Sequence, residues 1–301
     1  MTPPSVPEQP KAEEPSRRGR KQGPISQQAG ACHQAWLKPV RNRLAASRLT
    51  LDELVGLTGY SKTRISALLR GMEYYPTWEI TYSVVRALDL PVWPLRRLWA
   101  GAAREANKPQ TWIEERIHEV QYLTQEQPPV AHQAFTQAMR GPYTAYARTF
   151  LQDRRATWVV AETSDILWLR WDEAVASPDV RRHAWRLLRS RVMLRAHHHP
   201  DGHPDLRSAS FSTVAQSQID DMATRLAEIG EMAAFFDAVG RLPQDHLDLV
   251  VLRYLCGIDE DTLPTVTGLS PALIHAYDHH ARGALESIYP HHDNPGVITP
   301  K

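Results

Sequence analysis

Lys62, Thr63, Ser66 and Arg70 are spaced so that a helix turns all four away from Ile65, Leu68 and Leu69. Amines, guanidinium groups and hydroxyls opposite one packed face suit base edges and phosphates in the DNA major groove. Arg43, on an earlier helix, joins them as a nucleic-acid-binding candidate. A second concentration of cations lies in 179–196, where Arg182, Arg186 and Arg189 share one helix face and Arg181, Arg191 and Arg195 another. Trp185, Leu188 and Val192 fall between them. Such a helix suits an electrostatic groove with a stacking surface for a single strand. It equally suits a packed helix with a core tryptophan and solvated arginines. A third cluster, His197, His198, His199 and His203 with Asp201 and Asp205, has ligand types for zinc or nickel. Its prolines and glycine make it a loop, nothing supplies an orienting shell, and it reads as a linker. His246 and Asp248 read as ordinary helix-surface neighbours. No phosphate-cradling glycine loop, nucleophile elbow or spaced metal-ligand set is present, so neither an enzyme nor a cofactor is expected.

The elements that position the first group are legible from their punctuation. Thr50 and Glu53 form a capping box that opens a helix through Leu51, Leu54, Val55 and Leu57. Gly59 ends it in a turn, Ser61 caps the next helix, and Gly71 closes that one. A helix before them carries Trp36, Leu37, Val40 and Leu44; two more follow over 77–88 and 91–105. Strand-type alternation is hard to find, so the fold class is all-α and multi-domain. The expected divisions are a disordered tail (1–32), a helix-turn-helix domain (33–108), a linker helix (109–129) and a helical domain (130–199). A linker with a helix at 214–230 (200–232), a second helix-turn-helix domain (233–289) and a tail (290–301) complete the chain.

The total charge of +1 hides regional differences. Residues 33–108 hold twelve Lys/Arg against six Asp/Glu, and 130–199 eleven against six; 233–289 hold three against eight. The tail carries Arg17, Arg18, Arg20 and Lys21, which read as a solvated tail or as an arm on a phosphate backbone. Two distant cysteines and no signal-peptide pattern point to the cytoplasm, and no apolar run is long enough to span a membrane.

Residues 36–100, through LTLDELVGLTGYSKTRISALLRG, Pro76 and VVRALDL, resemble the Cro and lambda-repressor type of helix-turn-helix domain, the XRE family. The resemblance implies a recognition helix starting at Ser61, with Lys62 and Thr63 reading bases and Arg64 and Arg70 reaching base edges or phosphates. Leu51 stands where that family usually has a phosphate-binding glutamine, which implies one contact fewer. Farther on, RLP, LVVLRY, Gly257, TGLS and ARGAL look like region 4 of sigma factors of the extracytoplasmic-function type. YARTFLQD, then Ala161-Glu162 and the arginine helix, look like region 2. By that resemblance Glu162 and Asp165 face core RNA polymerase, while Trp185, Arg186 and Arg189 lie near a melted strand. The acidic 233–289 end, with His275, Asp278, His279 and His280 on its presumed recognition helix, repels phosphate at neutral pH. The leading expectation is therefore a regulator that binds double-stranded DNA through 36–100, alone or as a homodimer. The alternatives are a functional sigma factor that recruits RNA polymerase and a protein-interaction or sequestering module.

Overall fold

The computed structural model describes residues 23–72, 75–120, 126–206 and 233–288. They form an all-α protein with no β-strand among them; one antiparallel bridge joins His198 to Pro204. No helix among the described residues is long and apolar enough to cross a membrane.

The amino-terminal unit contains α1 (Ala31–Ser47), α2 (Leu51–Thr58), α3 (Lys62–Arg70), α4 (Trp78–Ala87), α5 (Val92–Glu105) and α6 (Gln110–His118). The local signals act as read. The Thr50–Glu53 capping box is complete, and Ser61 accepts from the Arg64 N–H. Gly59 and Gly71 close their helices at φ 73° and 62°, where a Cβ is costly. Three fully buried tryptophans, Trp36, Trp78 and Trp99, centre the core. Trp99 Nε1 donates to the Pro76 carbonyl at 3.1 Å, and Tyr75 donates its hydroxyl to the Trp99 carbonyl at 2.6 Å. These bonds satisfy the polar groups of the turn entering α4. Trp112 of α6 stacks on Trp99 with ring centroids 5.8 Å apart, and Ile113 is buried. The expected linker helix is thus part of this core.

His33 is buried in the same core, stacked on Trp36 at 5.0 Å and edge-on to Tyr75 at 5.1 Å. Burial pushes its imidazole down from 6.5 to about 4, against the pull of the Glu105 carboxylate. Between those two values the unfolded chain binds the extra proton. The stability His33 contributes is complete above pH 6.5 and is lost as pH falls toward 4, up to roughly 3 kcal/mol. Urea midpoints measured from pH 7 to 4.5 should fall more steeply in wild type than in H33Q. Parallel curves would assign the acid sensitivity elsewhere.

The remaining helices are α7 (Val130–Phe150), α8 (Asp153–Leu169), α9 (Trp171–Ala176) and α10 (Val180–Met193). After helical residues 233–240 come α11 (Gln244–Val250), α12 (Leu263–Thr267) and α13 (Pro271–Ile288). A π-turn over Val251–Leu255 extends α11. Tyr146, Trp185, Leu188, Val251 and Val266 belong to one continuous apolar cluster. The division expected between 130–199 and 233–289 is therefore not a division of the core. The reason is visible at Gly268, whose φ is 67°. A Cβ there would come within 2.8 Å of the Arg182 Cα, so the α12–α13 turn seats directly on the start of α10. The helix expected at 214–230 lies outside the described residues.

The tail expectation needs a correction at its end. Residues 1–22 lie outside the description, but 23–30 are packed: Ala29 is buried and Ile25 lies against the amino-terminal core.

Candidate nucleic-acid interface

The α2–α3 pair is built so that only one side of α3 meets the core. Ile65, Leu68 and Leu69 are buried, while Lys62, Thr63, Arg64 and Arg70 are exposed and Ser66 is half-buried. This separation is what the 100° spacing dictates, and it leaves three cations and two hydroxyls on one outward helix. Two of those cations are held at their positions. Lys62 Nζ lies 2.7 Å from the Asp52 carboxylate on α2, and the Arg64 guanidinium lies 5.6 Å from the Tyr60 ring centroid. Both members of the first pair are well exposed, so water and salt weaken it. At the far end of α3, Arg41 donates to the Leu69 carbonyl at 2.9 Å, one of the last carbonyls of the helix. Leu51 packs half-buried against the core.

Arg43 is placed differently from the expectation. Its Nε donates to the Leu88 carbonyl at 3.0 Å, so it caps the carboxyl end of α4. A guanidinium satisfying a helix end is a structural fixture.

The expected single-strand surface on α10 is an interior. Trp185 is 1% exposed and donates Nε1–H to Asp248 at 3.2 Å. Arg189 pairs with the same carboxylate at 2.9 Å, and the Tyr146 hydroxyl donates to it at 2.7 Å. Arg182 pairs with Asp245 at 2.9 Å. Arg186 alone of the four expected residues is exposed. The cause is α11, which lies across this face of α10 and brings both aspartates to it. Asp248, which reads in sequence as a surface neighbour of His246, is the hub of this contact and 2% exposed. Burial pushes its carboxyl up to about 6, against Arg189 and the hydrogen bonds from Tyr146 and Trp185. Its setting, Leu247-Asp248-Leu249-Val250-Val251-Leu252, carries the missed signal: an acid inside an apolar run is buried and needs donors.

Glu162 and Asp165, the expected polymerase-facing acids, are covered as well. Glu162 accepts from Arg191 at 2.9 Å and from Arg195 at 3.0 Å, and Asp165 is clamped by Arg97 of α5. Arg191 also donates to the Ala31 carbonyl at 2.9 Å, and Arg195 lies 4.9 Å from the Trp158 ring centroid. A Cβ on Gly101 of α5 would stand 3.1 Å from the Trp158 indole. The amino-terminal unit therefore docks on α8 through a tight α5 approach with a buried ionic seam beside it. No single residue of this seam except Glu162 and Asp165 stands out in the sequence.

The second helix-turn-helix frame presents other chemistry. Asp278 of α13 is buried beneath Arg253 at 3.1 Å and Arg282 at 2.9 Å, which neutralise one another's charge through it. His275, His279 and His280 are exposed. His246 lies 4.8 Å from the Tyr277 ring, and burial and the neighbouring His280 push its imidazole down. Among the described residues no group of three or more His, Cys, Asp or Glu is placed to hold a metal ion. Compared with known family models, curated proteins and solved structures, the chain matches none.

Proposed function

We propose that the chain is a cytoplasmic, sequence-specific regulator of transcription that binds duplex DNA through α2 and α3. In this reading Lys62, Thr63, Arg64, Ser66 and Arg70 enter the major groove, and the XRE-like unit is carried by a degenerate sigma-like body. The supporting observation is the contrast between the two helix-turn-helix frames. On α3 the outward face is cationic and hydroxyl-bearing and stands clear of the core. In the second frame the turn is seated on α10 and the outward face carries histidines. Loss of a phosphate ligand at Leu51 lowers the affinity of one copy, so a homodimer on two half-sites belongs to the proposal.

The full-length chain should retain genomic duplex fragments at about 50 mM salt, where phosphate contacts are strongest. K62E combined with R70E should weaken that binding about a hundredfold, because each lost phosphate or base contact also becomes a repulsion. Equal binding by the double variant would overturn the proposal. The functional sigma factor reading predicts co-purification with core RNA polymerase, and the burial of Glu162 and Asp165 beneath α5 and α10 weighs against it. A protein-interaction module would keep its partner through the charge reversal.

A further inference from the structure

The chain entering the amino-terminal unit is fastened to the end of α3. Arg41 holds two carbonyls with one guanidinium: Leu69 at 2.9 Å and Gly23 at 2.7 Å. The Ser26 N–H donates to the Arg70 carbonyl at 2.8 Å, and Ile25 packs on the core beneath. A Cβ on Gly23 would lie 3.5 Å from Arg70 Nε, so this entry point touches the guanidinium of an outward α3 residue. Immediately before it in the sequence stand Arg17, Arg18, Arg20 and Lys21. Residues 1–22 are outside the described structure, yet covalent geometry bounds their reach. At no more than about 3.5 Å per residue, Lys21 stays within about 7 Å of Gly23 and Arg17 within about 21 Å. A B-DNA major groove is about 12 Å wide, so phosphates flanking a groove occupied by α3 fall inside that radius.

From this anchoring we infer that Arg17, Arg18, Arg20 and Lys21 form a second contact, to the phosphate backbone of the duplex that α3 reads. The inference rests on the proposed DNA binding and adds to it a separate, sequence-independent source of affinity. Four cations tethered at the recognition helix act at high effective concentration on any phosphate held there. Each phosphate they neutralise releases condensed counterions, which adds about 0.9 to the slope of log affinity against log salt. They read no bases, so the preferred site is set by α3 alone.

The test uses the full chain and a duplex selected from genomic fragments by the wild type, with binding followed by anisotropy from 50 to 300 mM salt. R17A/R18A/R20A/K21A should lower the salt slope by about three to four and weaken binding at 100 mM salt at least tenfold, with its site preference unchanged. Inserting a twenty-residue Gly-Ser segment between Lys21 and Gly23 keeps every cation but dilutes it, and should give an intermediate loss. An unchanged slope in the alanine variant, with wild type still binding, overturns the arm contact and leaves the α3 reading standing. Wild-type-like binding by the insertion variant overturns the role of the anchor. If wild type shows no salt-sensitive duplex binding, the reading beneath the inference fails first and takes it along. Equal thermal unfolding of all three chains shows that the losses are not losses of fold.

Discussion

Asp248→Ala should lower the free energy of unfolding by about 3 to 5 kcal/mol, the range for removing one partner of a buried ion pair. The carboxylate collects three donors that have no water to turn to: the Tyr146 hydroxyl, Trp185 Nε1 and the Arg189 guanidinium. Its removal leaves the Arg189 charge and two polar hydrogens enclosed among Val251, Leu252 and their neighbours. Asp248→Asn should cost less, because the amide oxygen still accepts from Tyr146 or Trp185 while the arginine alone goes uncompensated. Urea unfolding at pH 7, read by the fluorescence of the buried tryptophans, gives both values. An alanine variant within about 1 kcal/mol of wild type would mean that α11 contributes little to holding α10.

Glu162→Ala should cost a similar amount, but by a different route. Glu162 is 4% exposed and serves Arg191 and Arg195 together, while Arg191 reaches on to the Ala31 carbonyl at the start of α1. Emptying that position strands two arginines at the contact between the amino-terminal unit and α8, a loss again of about 3 to 5 kcal/mol. The cost falls on the contact more than on either core. Calorimetry should therefore show one transition for wild type splitting into two in E162A. Pairing Glu162→Met with Arg191→Met should recover much of the loss, since an apolar pair of similar volume needs no compensation. If E162A melts in a single transition near the wild-type temperature, the seam does not couple the two halves.

The contrast between these two sites and α3 shows what a sequence displays. The Thr50–Glu53 box, the glycine stops at 59 and 71 and the polar face of α3 are local, set by residues within one or two turns. Local rules therefore locate them. Asp248 meets Tyr146, Trp185 and Arg189 across 102, 63 and 59 residues of chain, and Arg97 meets Asp165 across 68. No periodicity carries information over such distances. Trp185 is the instructive case. Its spacing is that of a core residue and its arginine neighbours are those of a nucleic-acid groove, so the helix alone leaves both readings open. The aspartates of α11 decide it, because buried carboxylates turn the same arginines inward. The all-α class needed none of this and followed from helical periodicity throughout.

The docking of α5 on α8 also sets two different sensitivities to ionic strength within one molecule. Exposed cations such as Arg70 lose their hold on phosphates steeply as salt rises, because mobile ions reoccupy the polyanion. The pairs at Glu162 and Asp165 are shut away from those ions and scarcely feel them. Raising salt should therefore strip the protein from its duplex long before its halves part. The protein leaves as one rigid body, with α3 still oriented for the next encounter.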